Sequence, residues 1–130
     1  LQSDIKVVEN QINSPTPAWW LASAIKSIIS LKINNLLDSK MRILHASTEG
    51  QVSWHQFSIE IFKILKSRNL IKQLIKPLKI SSEEYNSISK RPNFSALDNS
   101  RIKSLGIDTI TWKEGLNKTI NIRKKLKIEN

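Results

Sequence analysis

The sequence predicts an α/β protein in which short strands alternate with about four helices. Three short apolar segments, residues 5–8, 42–46 and 78–80, are separated by stretches in which apolar residues recur at helical spacing. At 130 residues and 14.9 kDa, the chain has the size of one ordinary domain. No apolar run approaches the roughly 20 residues of a membrane span. We therefore expect residues 1–130 to form one portion without an internal domain boundary.

The first third of the chain predicts a strand, a polar turn and a helix. Residues 5–8 form the strand, and the turn covers residues 9–15. Thr16 is a favourable N-cap, and Pro17 then occupies the first helical position, where an N–H group has no helical partner. The helix is predicted to end near residue 31 and to be followed by a connection. Its apolar stripe at helical spacing consists of Leu21, Ile25, Ile28 and Ile29.

The middle third predicts a buried strand and a basic helix. Residues 42–46 form the strand, and residues 48–50 form a turn. Ser53 and Gln56 match a capping box, so a helix should run from residue 54 to about residue 68, where Asn69 can end it. Six cations and no acid lie between residues 63 and 79, which is typical of a core-packed helix with a solvated basic side; a membrane-surface or acidic-partner helix is the alternative. The predicted apolar face consists of Trp54, Phe57, Ile61, Ile64 and Leu65.

The last third predicts an edge strand, a long loop and two helices. Pro77 ends the preceding element, residues 78–80 form the strand, and Asp98 or Asn99 caps a short helix that Gly106 closes. Thr111 and Glu114 match a second capping box. The final helix should therefore begin at residue 112, and the basic tail after residue 122 is predicted to fray.

The polar loop over residues 81–98 is the first candidate site. Pro92 holds Arg91 in an extended conformation, so Lys90 and Arg91 are predicted to stand as fixed cations. Arg91 can take a phosphate or carboxylate with two hydrogen bonds, while Tyr85 can supply a hydroxyl or a stacking face. A solvated loop with two surface cations is the alternative. The adjacent acids in this loop, Glu83 and Glu84, are predicted to be solvated rather than catalytic.

The net charge of +10 lies entirely in residues 61–130, because residues 1–60 hold equal numbers of cations and acids. Such asymmetry can indicate a nucleic-acid or membrane partner. Lys, Asn and Ile dominate the composition, however, and their AT-rich codons offer a coding-bias explanation for the basic excess. We expect neither nucleic acid nor membrane as a partner.

Several chemistries lack a signature. The histidines, His45 and His55, are ten residues apart and no cysteine is present, so we expect no metal site; the lack of cysteine also fits the cytoplasm. His45 is expected to be a core or loop-edge residue and His55 to be solvated. The three glycines stand alone, which excludes a glycine-rich dinucleotide or nucleotide loop within these residues. We assign no catalytic and no cofactor-binding residue to this chain.

Four groups of residues carry a family resemblance that covers nearly the whole chain. In order and spacing they are similar to the dTDP-4-dehydrorhamnose reductase family, which resembles extended short-chain dehydrogenases. That resemblance implies an N-terminal Rossmann domain with a glycine fingerprint and a Tyr-x-x-x-Lys pair, followed by a smaller sugar-nucleotide domain, of which this chain resembles the C-terminal portion. The groups are residues 7–16; Leu44, His45 and Ala46 with Glu49, Gly50, Ser53 and Trp54; Tyr85 with Lys90, Arg91, Pro92, Ser95, Leu97 and Asp98; and Gly106 and Ile107 with Trp112 and Gly115.

The resemblance implies an activity for the intact protein. It would reduce dTDP-4-dehydro-L-rhamnose to dTDP-L-rhamnose with NADPH or NADH in the cytoplasm, as a monomer or a homodimer. The N-terminal domain, absent from this chain, would bind the cofactor and hold the catalytic pair, so this chain alone is predicted to be inactive. Here the resemblance implies a substrate-binding wall: Gln11, Ser14 and Thr16 near the sugar, Lys90 and Arg91 toward the nucleotide or diphosphate, and Tyr85 nearby.

The sequence departs from the family pattern at two places. Asn10 and Asn13 replace an aspartate and a glycine; Asn13 still tolerates a left-handed backbone, so the turn there is predicted to survive. The residues after Tyr85 lack the two prolines of the family, which predicts a less pre-ordered loop.

Two other function classes stay open. One is a regulatory or interaction protein that reuses the reductase fold, which a missing glycine fingerprint upstream would favour. The other is a basic nucleic-acid-binding module, which predicts aromatic residues among the cations. The four tryptophans instead fall on helix starts, where packing is expected: Trp19, Trp20, Trp54 and Trp112.

Overall fold

The predicted α/β class with four helices and short strands is confirmed by a computed structural model, which describes residues 4–38, 40, 43–86 and 89–128, with side chains through residue 123. Met41, Arg42, Ser87 and Ile88 lie outside the described residues. In chain order the elements are β1 (Lys6–Val8), β2 (Ile12–Asn13), α1 (Ala18–Ile33), β3 (Val52–Ser53), α2 (Trp54–Ser67), β4 (Leu78–Ile80), α3 (Ser100–Ser104) and α4 (Trp112–Ile128).

The chain forms two compact units, and each is built from two separate stretches of sequence. The first unit contains Leu1–Asn13 and Gln51–Ala96, and the second contains Ser14–Gly50 and Leu97–Asn130. Because the chain passes back and forth between the units, no single change of composition along the sequence marks them.

The first unit is built from two small sheets and α2. Strands β1 and β4 pair in parallel, with Lys6 opposite Leu78. The predicted strand over residues 78–80 is therefore formed. Strands β2 and β3 pair antiparallel, with Ile12 opposite Ser53. The sequence did not predict this second pair, since two residues are too few to form an alternating pattern. Helix α2 packs against β1 and β3.

Helix α2 begins and ends where the sequence predicts. The backbone N–H of Gln56 donates to the hydroxyl of Ser53 (3.1 Å), which confirms Ser53 as the N-cap. At the other end Asn69 is left-handed (φ 55°), and the N–H of Leu70 donates to the carbonyl of Leu65 (2.9 Å), which closes the last turn.

The six cations between residues 63 and 79 do not share one helix. Only Lys63 and Lys66 lie in α2, and Arg68 is its C-cap. Lys72 and Lys76 follow in the connection between α2 and β4, while Lys79 is in β4 and pairs with Glu9 (3.3 Å). The helix ends as predicted, but the interpretation of all six cations as the solvated side of one helix is wrong. Within the described part of the chain, no helix has the length and apolar character needed to cross a membrane.

The second unit has its core between α1 and α3. Trp20 and Ala24 of α1 pack with Ile102 and Ile107, and Ile102 is fully buried. The indole N–H of Trp20 donates to the carbonyl of Asp108 (3.3 Å), so this buried ring keeps a partner for its polar atom. Flanking residues complete the cluster: Trp19, Leu21, Ile28, Leu31, Ala46, Leu105 and Ile110.

Helix α1 differs from the prediction at its start and on its apolar face. Pro17, rather than Thr16, is the N-cap position and makes no side-chain cap, while the hydroxyl of Thr16 donates to the carbonyl of Ser14 (2.9 Å). The helix runs to Ile33, two residues beyond the predicted end. Ile25 and Ile29 are 47% and 53% exposed, so their assignment to the core was wrong. The core side is instead set by Trp20 and Ala24.

The predicted strand over residues 42–46 is not formed in its described part. Ile43 is 65% exposed, and no described strand of this unit lies alongside to pair with the segment. The backbone N–H and carbonyl of Ser47, the next residue, bond the side chain of Asn99 (3.1 and 2.8 Å). Asn99 is the N-cap position of α3. Its side chain makes no cap hydrogen bond there, because its amide group bonds Ser47 instead. Asp98 instead accepts from the backbone N–H of Ser100 (2.9 Å).

The capping box at α4 is confirmed. The N–H of Thr111 donates to the Glu114 carboxylate (2.7 Å), and the N–H of Glu114 donates to the Thr111 hydroxyl (3.2 Å). Gly106, with φ 72°, closes the short helix before it as predicted. Helix α4 continues to Ile128, so fraying after residue 122 was wrong; residues 129 and 130 lie outside the description.

We predict that Ser53→Ala lowers the free energy of unfolding by about 1 kcal/mol, because the N–H of Gln56 loses its partner. Ser58→Ala is the matched control, since the Ser58 hydroxyl donates only to the carbonyl of His55 within the helix. Urea unfolding of both variants measures the difference. A Ser53→Ala variant as stable as wild type would contradict the capping role.

We also predict a pH-dependent loss of stability at α4. Hydrogen bonds from the backbone N–H and hydroxyl of Thr111 lower the pKa of Glu114 below its ordinary value of 4.5. A carboxyl with a depressed folded-state pKa stabilises the fold above its unfolded pKa, and that contribution disappears as the pH falls through the folded-state pKa. The melting temperature of Glu114→Gln should therefore lie below that of wild type at pH 7 and converge with it as the pH falls through the lowered folded-state pKa. A gap that stays constant across this range would exclude the charge as its cause.

Candidate functional site

A cavity of about 520 Å³ lies within the first unit. Its described lining combines cations, aromatic rings, an amide and an apolar floor. The lining residues are Lys6, Val7, Val8, Gln11, Trp54, Tyr85 and Arg91.

Strand pairing brings Gln11 and Trp54 to the same wall. Gln11 immediately precedes β2, and Trp54 immediately follows β3, which pairs with β2. The backbone N–H of Trp54 donates to the carbonyl of Gln11 (3.3 Å). The two side chains are therefore adjacent although 43 positions separate them in the sequence.

The chain just after Arg91 is hydrogen-bonded to β2, the strand that Gln11 precedes. The N–H of Ile12 donates to the carbonyl of Asn93 (2.8 Å), and the N–H of Ser95 donates to the carbonyl of Ile12 (2.9 Å). These two bonds form a parallel bridge between Ile12 and Phe94. Arg91 stands two residues before this anchored stretch, so its guanidinium reaches the cavity next to Gln11.

Tyr85 projects from a single capped helical turn. The N–H of Ser81 donates to the Glu84 carboxylate (2.6 Å), the N–H of Glu84 donates to the Ser81 hydroxyl (3.2 Å), and the N–H of Tyr85 donates to the carbonyl of Ser81 (3.1 Å). Asn86 ends the turn in a left-handed conformation (φ 50°). Ser81 and Glu84 are therefore a third capping box. The Ser-x-x-Glu spacing was visible in the sequence, but it was interpreted as part of an extended loop.

A hydrogen-bonded group joins this turn to the wall that carries Gln11. The side-chain carbonyl of Asn10 accepts from the backbone N–H (3.0 Å) and the hydroxyl (2.8 Å) of Ser82. The hydroxyl of Ser82 in turn accepts from the amide N–H of Gln11 (2.9 Å). Asn10 needs only its oxygen here, so it fills this role although the family has aspartate. Gln11 keeps its amide oxygen for the cavity.

The cavity favours an anion that carries a flat ring. Lys6 and Arg91 are cations, and no carboxylate is among its described lining residues. Trp54 and Tyr85 are 42% and 60% exposed, so each presents ring surface to solvent. Arg and Lys bind phosphate, and exposed aromatic rings stack on planar groups. The arrangement suits binding and orientation.

Three of the six predicted site residues line this cavity: Gln11, Tyr85 and Arg91. Lys90 is exposed but is not among the described residues that line it. Ser14 and Thr16 belong to the second unit, where the hydroxyl of Ser14 donates to the carbonyl of Gly50 (2.7 Å) and that of Thr16 accepts from the N–H of Thr48 (3.2 Å). The binding roles of all six residues stay predictions.

Lys6 and Trp54 were missed as lining residues. Trp54 was placed on the packing face of α2, but its side chain is partly exposed and its ring meets Phe57 edge to face, with ring centroids 6.1 Å apart. The sequence did indicate this role for Trp54, because Trp54 directly follows the N-cap Ser53, and a side chain at the first helical position can point away from the helix. Lys6 is the one cation in the apolar segment over residues 5–8, a break in pattern that the sequence did show.

Asn13 does not adopt the left-handed backbone that its replacement of glycine suggested. It lies in β2 opposite Val52, and the left-handed residues other than glycine in the described chain are Asn35, Asn69 and Asn86. The side-chain amide nitrogen of Asn13 is buried without a partner among the described residues. The prediction of a surviving left-handed turn at Asn13 is therefore wrong, because this residue is part of a short strand.

The remaining candidate groups fit binding better than catalysis. His55 is half-buried and its Nε2 lies 3.1 Å from the carbonyl oxygen of Pro77, so the prediction of a solvated His55 was wrong; His45 is exposed. Glu83 is exposed, and hydrogen bonding to its own backbone and to Ser81 lowers its pKa, which disfavours a general acid. The described residues contain no cluster of three metal-ligand side chains.

The glycines do not fit a dinucleotide cofactor. Gly50 and Gly106 each occupy an isolated left-handed position, with φ of 81° and 72°. Gly115 lies in α4, where an added Cβ would stand 3.0 Å from the ring of Pro17, so its role is close packing. None of them is part of a loop that could cradle a pyrophosphate.

The chain matches a family model and several known proteins over most of its length. The family model described as the RmlD substrate binding domain matches residues 2–124. The spore coat polysaccharide biosynthesis protein SpsK of Bacillus subtilis is 29% identical over 122 residues, which is 94% of this chain and 38% of that protein. A dTDP-4-dehydrorhamnose reductase of Aggregatibacter actinomycetemcomitans is 32% identical over 111 residues, or 85% of this chain and 37% of that protein.

A solved structure gives the same result. The dTDP-4-dehydrorhamnose reductase of Bacillus anthracis, crystallised in complex with NADP, matches 89% of this chain and 36% of its own with a TM-score of 0.70 and 27% identity. This chain thus spans well under half the length of the relatives it matches. From the family match over nearly all its residues, the chain belongs to the RmlD substrate binding domain family.

Proposed function

We propose that this chain is the substrate-binding part of an NAD(P)H-dependent reductase that converts dTDP-4-dehydro-L-rhamnose to dTDP-L-rhamnose. The observation that carries the proposal is that a chain matching the family over residues 2–124 also contains a cavity lined by cations and aromatic rings. The relatives named as reductases support the reaction type.

The cavity residues divide the substrate between them. The Arg91 fork and the Lys6 ammonium bind the diphosphate, because both are cations and line the same space. Tyr85 and Trp54 flank the thymine ring with their exposed faces. The free amide oxygen of Gln11 accepts from a sugar hydroxyl. Ser14, Thr16 and Lys90 are assigned to substrate binding because their positions match the family motif. Lys90 adds a positive charge to the loop that holds Arg91.

Hydride transfer belongs to the part of the reductase outside these residues. The nicotinamide cofactor, when bound, supplies the hydride to the keto carbon. NADPH or NADH is held there as well, because the glycines of this chain form no phosphate loop; the NADP complex of the Bacillus anthracis reductase supports a cofactor of this class. What the present residues do is grip the nucleotide and orient the sugar. We place the protein in the cytoplasm, as a monomer or a homodimer.

We predict that the 130-residue chain by itself binds no NADPH at micromolar concentration and shows no reductase activity. Isothermal titration calorimetry with NADPH measures the first, and absorbance at the nicotinamide band measures the second. Heat of binding that saturates at micromolar NADPH would contradict the assignment of the cofactor to another domain. Titration with dTDP in the same cell is the positive control for a folded cavity.

In the complete reductase we predict that Arg91→Ala raises KM for the dTDP-sugar far more than it lowers kcat. A charge-assisted hydrogen bond contributes about 1.5–3 kcal/mol, which corresponds to a loss in kcat/KM on the order of tenfold to a hundredfold. Arg91→Lys should recover only part of the loss, since the ammonium keeps the charge but not the planar fork.

Lys76→Ala is the matched control for charge, because Lys76 is an exposed cation of the same unit that is not among the described lining residues. It should leave KM within about twofold of wild type, because an exposed charge that does not line the cavity is screened by solvent and salt. Melting temperatures of all three variants separate binding from folding. If Arg91→Ala lowers the melting temperature by several degrees and leaves KM unchanged, Arg91 is a loop anchor and not a substrate ligand.

A further inference from the structure

The hydrogen bonds around Ser82 have a fixed direction. Asn10, Gln11 and Ser82 are half-buried residues of the first unit. The side-chain oxygen of Asn10 accepts from the backbone N–H of Ser82 (3.0 Å), and a backbone N–H can only donate. This bond therefore decides which way the Asn10 amide points, with its oxygen toward Ser82.

Ser82 passes this direction on to Gln11. The hydroxyl of Ser82 lies 2.8 Å from the same Asn10 oxygen and donates its hydrogen there, because that oxygen has none to give. The Ser82 oxygen then has only lone pairs left, so it accepts from the amide nitrogen of Gln11 (2.9 Å). Each bond in the series follows from the one before it, and the first depends on a backbone N–H.

The amide oxygen of Gln11 is left for the cavity. Gln11 lines the cavity, and among the described residues no donor bonds this oxygen. A solvated glutamine can present its nitrogen or its oxygen, whereas this one is restricted to the oxygen. The cavity thus offers only an acceptor at this position, and a ligand atom that bonds it has to be a donor.

A hydroxyl meets this requirement and a keto oxygen does not. A hydroxyl donates to the Gln11 oxygen, while a keto oxygen there would bring two sets of lone pairs together without a hydrogen. In the proposed reaction the sugar carries both kinds of group, and its keto group has to reach the nicotinamide. An acceptor at Gln11 therefore favours the orientation of the sugar in which the keto group points away from this wall.

We propose that Ser82 and Asn10 are positioning residues, which bind no substrate themselves and hold Gln11 as an acceptor for a sugar hydroxyl. The proposal rests on the proposed function, which supplies the sugar. It gives a role to two residues that are not among the described lining of the cavity. It also requires that Ser82 acts on the ligand only through Gln11, which a residue that stabilises the turn alone would not do.

A double-mutant cycle in the complete reductase tests this coupling. Calorimetry measures the dissociation constants of dTDP and of dTDP-L-rhamnose for wild type, Ser82→Ala, Gln11→Ala and the double variant. The ratio of the two constants isolates the contribution of the sugar, because both ligands share the nucleotide and the diphosphate. Ser82→Ala keeps the backbone bond to Asn10, so the turn stays attached.

We expect Ser82→Ala to lower the affinity for dTDP-L-rhamnose relative to dTDP by about threefold to tenfold, because the Gln11 amide loses a partner and becomes free to rotate. Gln11→Ala should lower it at least as much. In the Gln11→Ala background, the further change Ser82→Ala should have no effect beyond about twofold.

Two control variants accompany the cycle. Ser82→Thr keeps the hydroxyl and should keep the wild-type ratio. Ser58→Ala removes a hydroxyl that donates to the carbonyl of His55 within α2, and it should also leave the ratio unchanged. If Ser82→Ala does not fold, Asn10→Ala replaces it, since this change frees the Ser82 hydroxyl to donate to Gln11 and permits both orientations of the amide.

Three results would overturn the proposal. An equal loss from Ser82→Ala in both backgrounds would mean that Ser82 acts independently of Gln11. An equal loss of affinity for both ligands would assign Ser82 to the turn that presents Tyr85. A wild-type ratio in Gln11→Ala would remove Gln11 from the sugar.

A reductase assay on the same preparations separates this inference from the function on which it rests. A non-additive cycle in a protein that does not reduce dTDP-4-dehydro-L-rhamnose would support the positioning role and count against the reaction. Turnover by wild type together with an additive cycle would support the reaction and count against the positioning role. A wild-type protein that binds neither ligand would overturn both.

Discussion

The backbone of Ile12 is the constraint on which the cavity depends. Its N–H and carbonyl bond the stretch from Asn93 to Ser95, and strand β2, to which it belongs, pairs with β3. Gln11 directly precedes this short strand, and Trp54 directly follows β3, the strand that pairs with it. The stretch after Arg91 is hydrogen-bonded to the same strand. Backbone bonds define this geometry, so a side-chain change at position 12 alters packing and leaves the register intact. The cavity therefore has a framework that is independent of the residues that line it.

The features that sequence predicted correctly are those whose chemistry lies within a few residues. The Ser53 cap, the Thr111 and Glu114 box and the left-handed ends at Asn69 and Gly106 depend on bonds across one helical turn, so local spacing is sufficient. The family resemblance then brought Gln11, Tyr85 and Arg91 together as candidate site residues, and these three do line one cavity.

The features that sequence did not predict depend on partners far along the chain. The two-residue pair of β2 and β3 joins positions about 40 apart and has no local pattern. The side of α1 that faces the core is decided by α3, some 80 residues later, so periodicity marked Ile25 and Ile29 as apolar without indicating which side they would take. The strand pattern at residues 43–46 was a correct observation about the sequence, but a strand needs a neighbour, and no described strand of the unit provides one.

The capped turn that presents Tyr85 has a thermodynamic consequence. In the family pattern proline rings restrain the residues after this tyrosine covalently, whereas here the turn is held by the reciprocal bonds of Ser81 and Glu84 and by the contact of Ser82 with Asn10. A ring restrains a loop at every temperature, but hydrogen bonds that form a single turn break with a modest enthalpy and a gain in entropy. We therefore expect warming to loosen this wall of the cavity before the fold melts. For the substrate proposed above, we expect the affinity to decline more steeply with temperature than it would with a proline-stiffened loop.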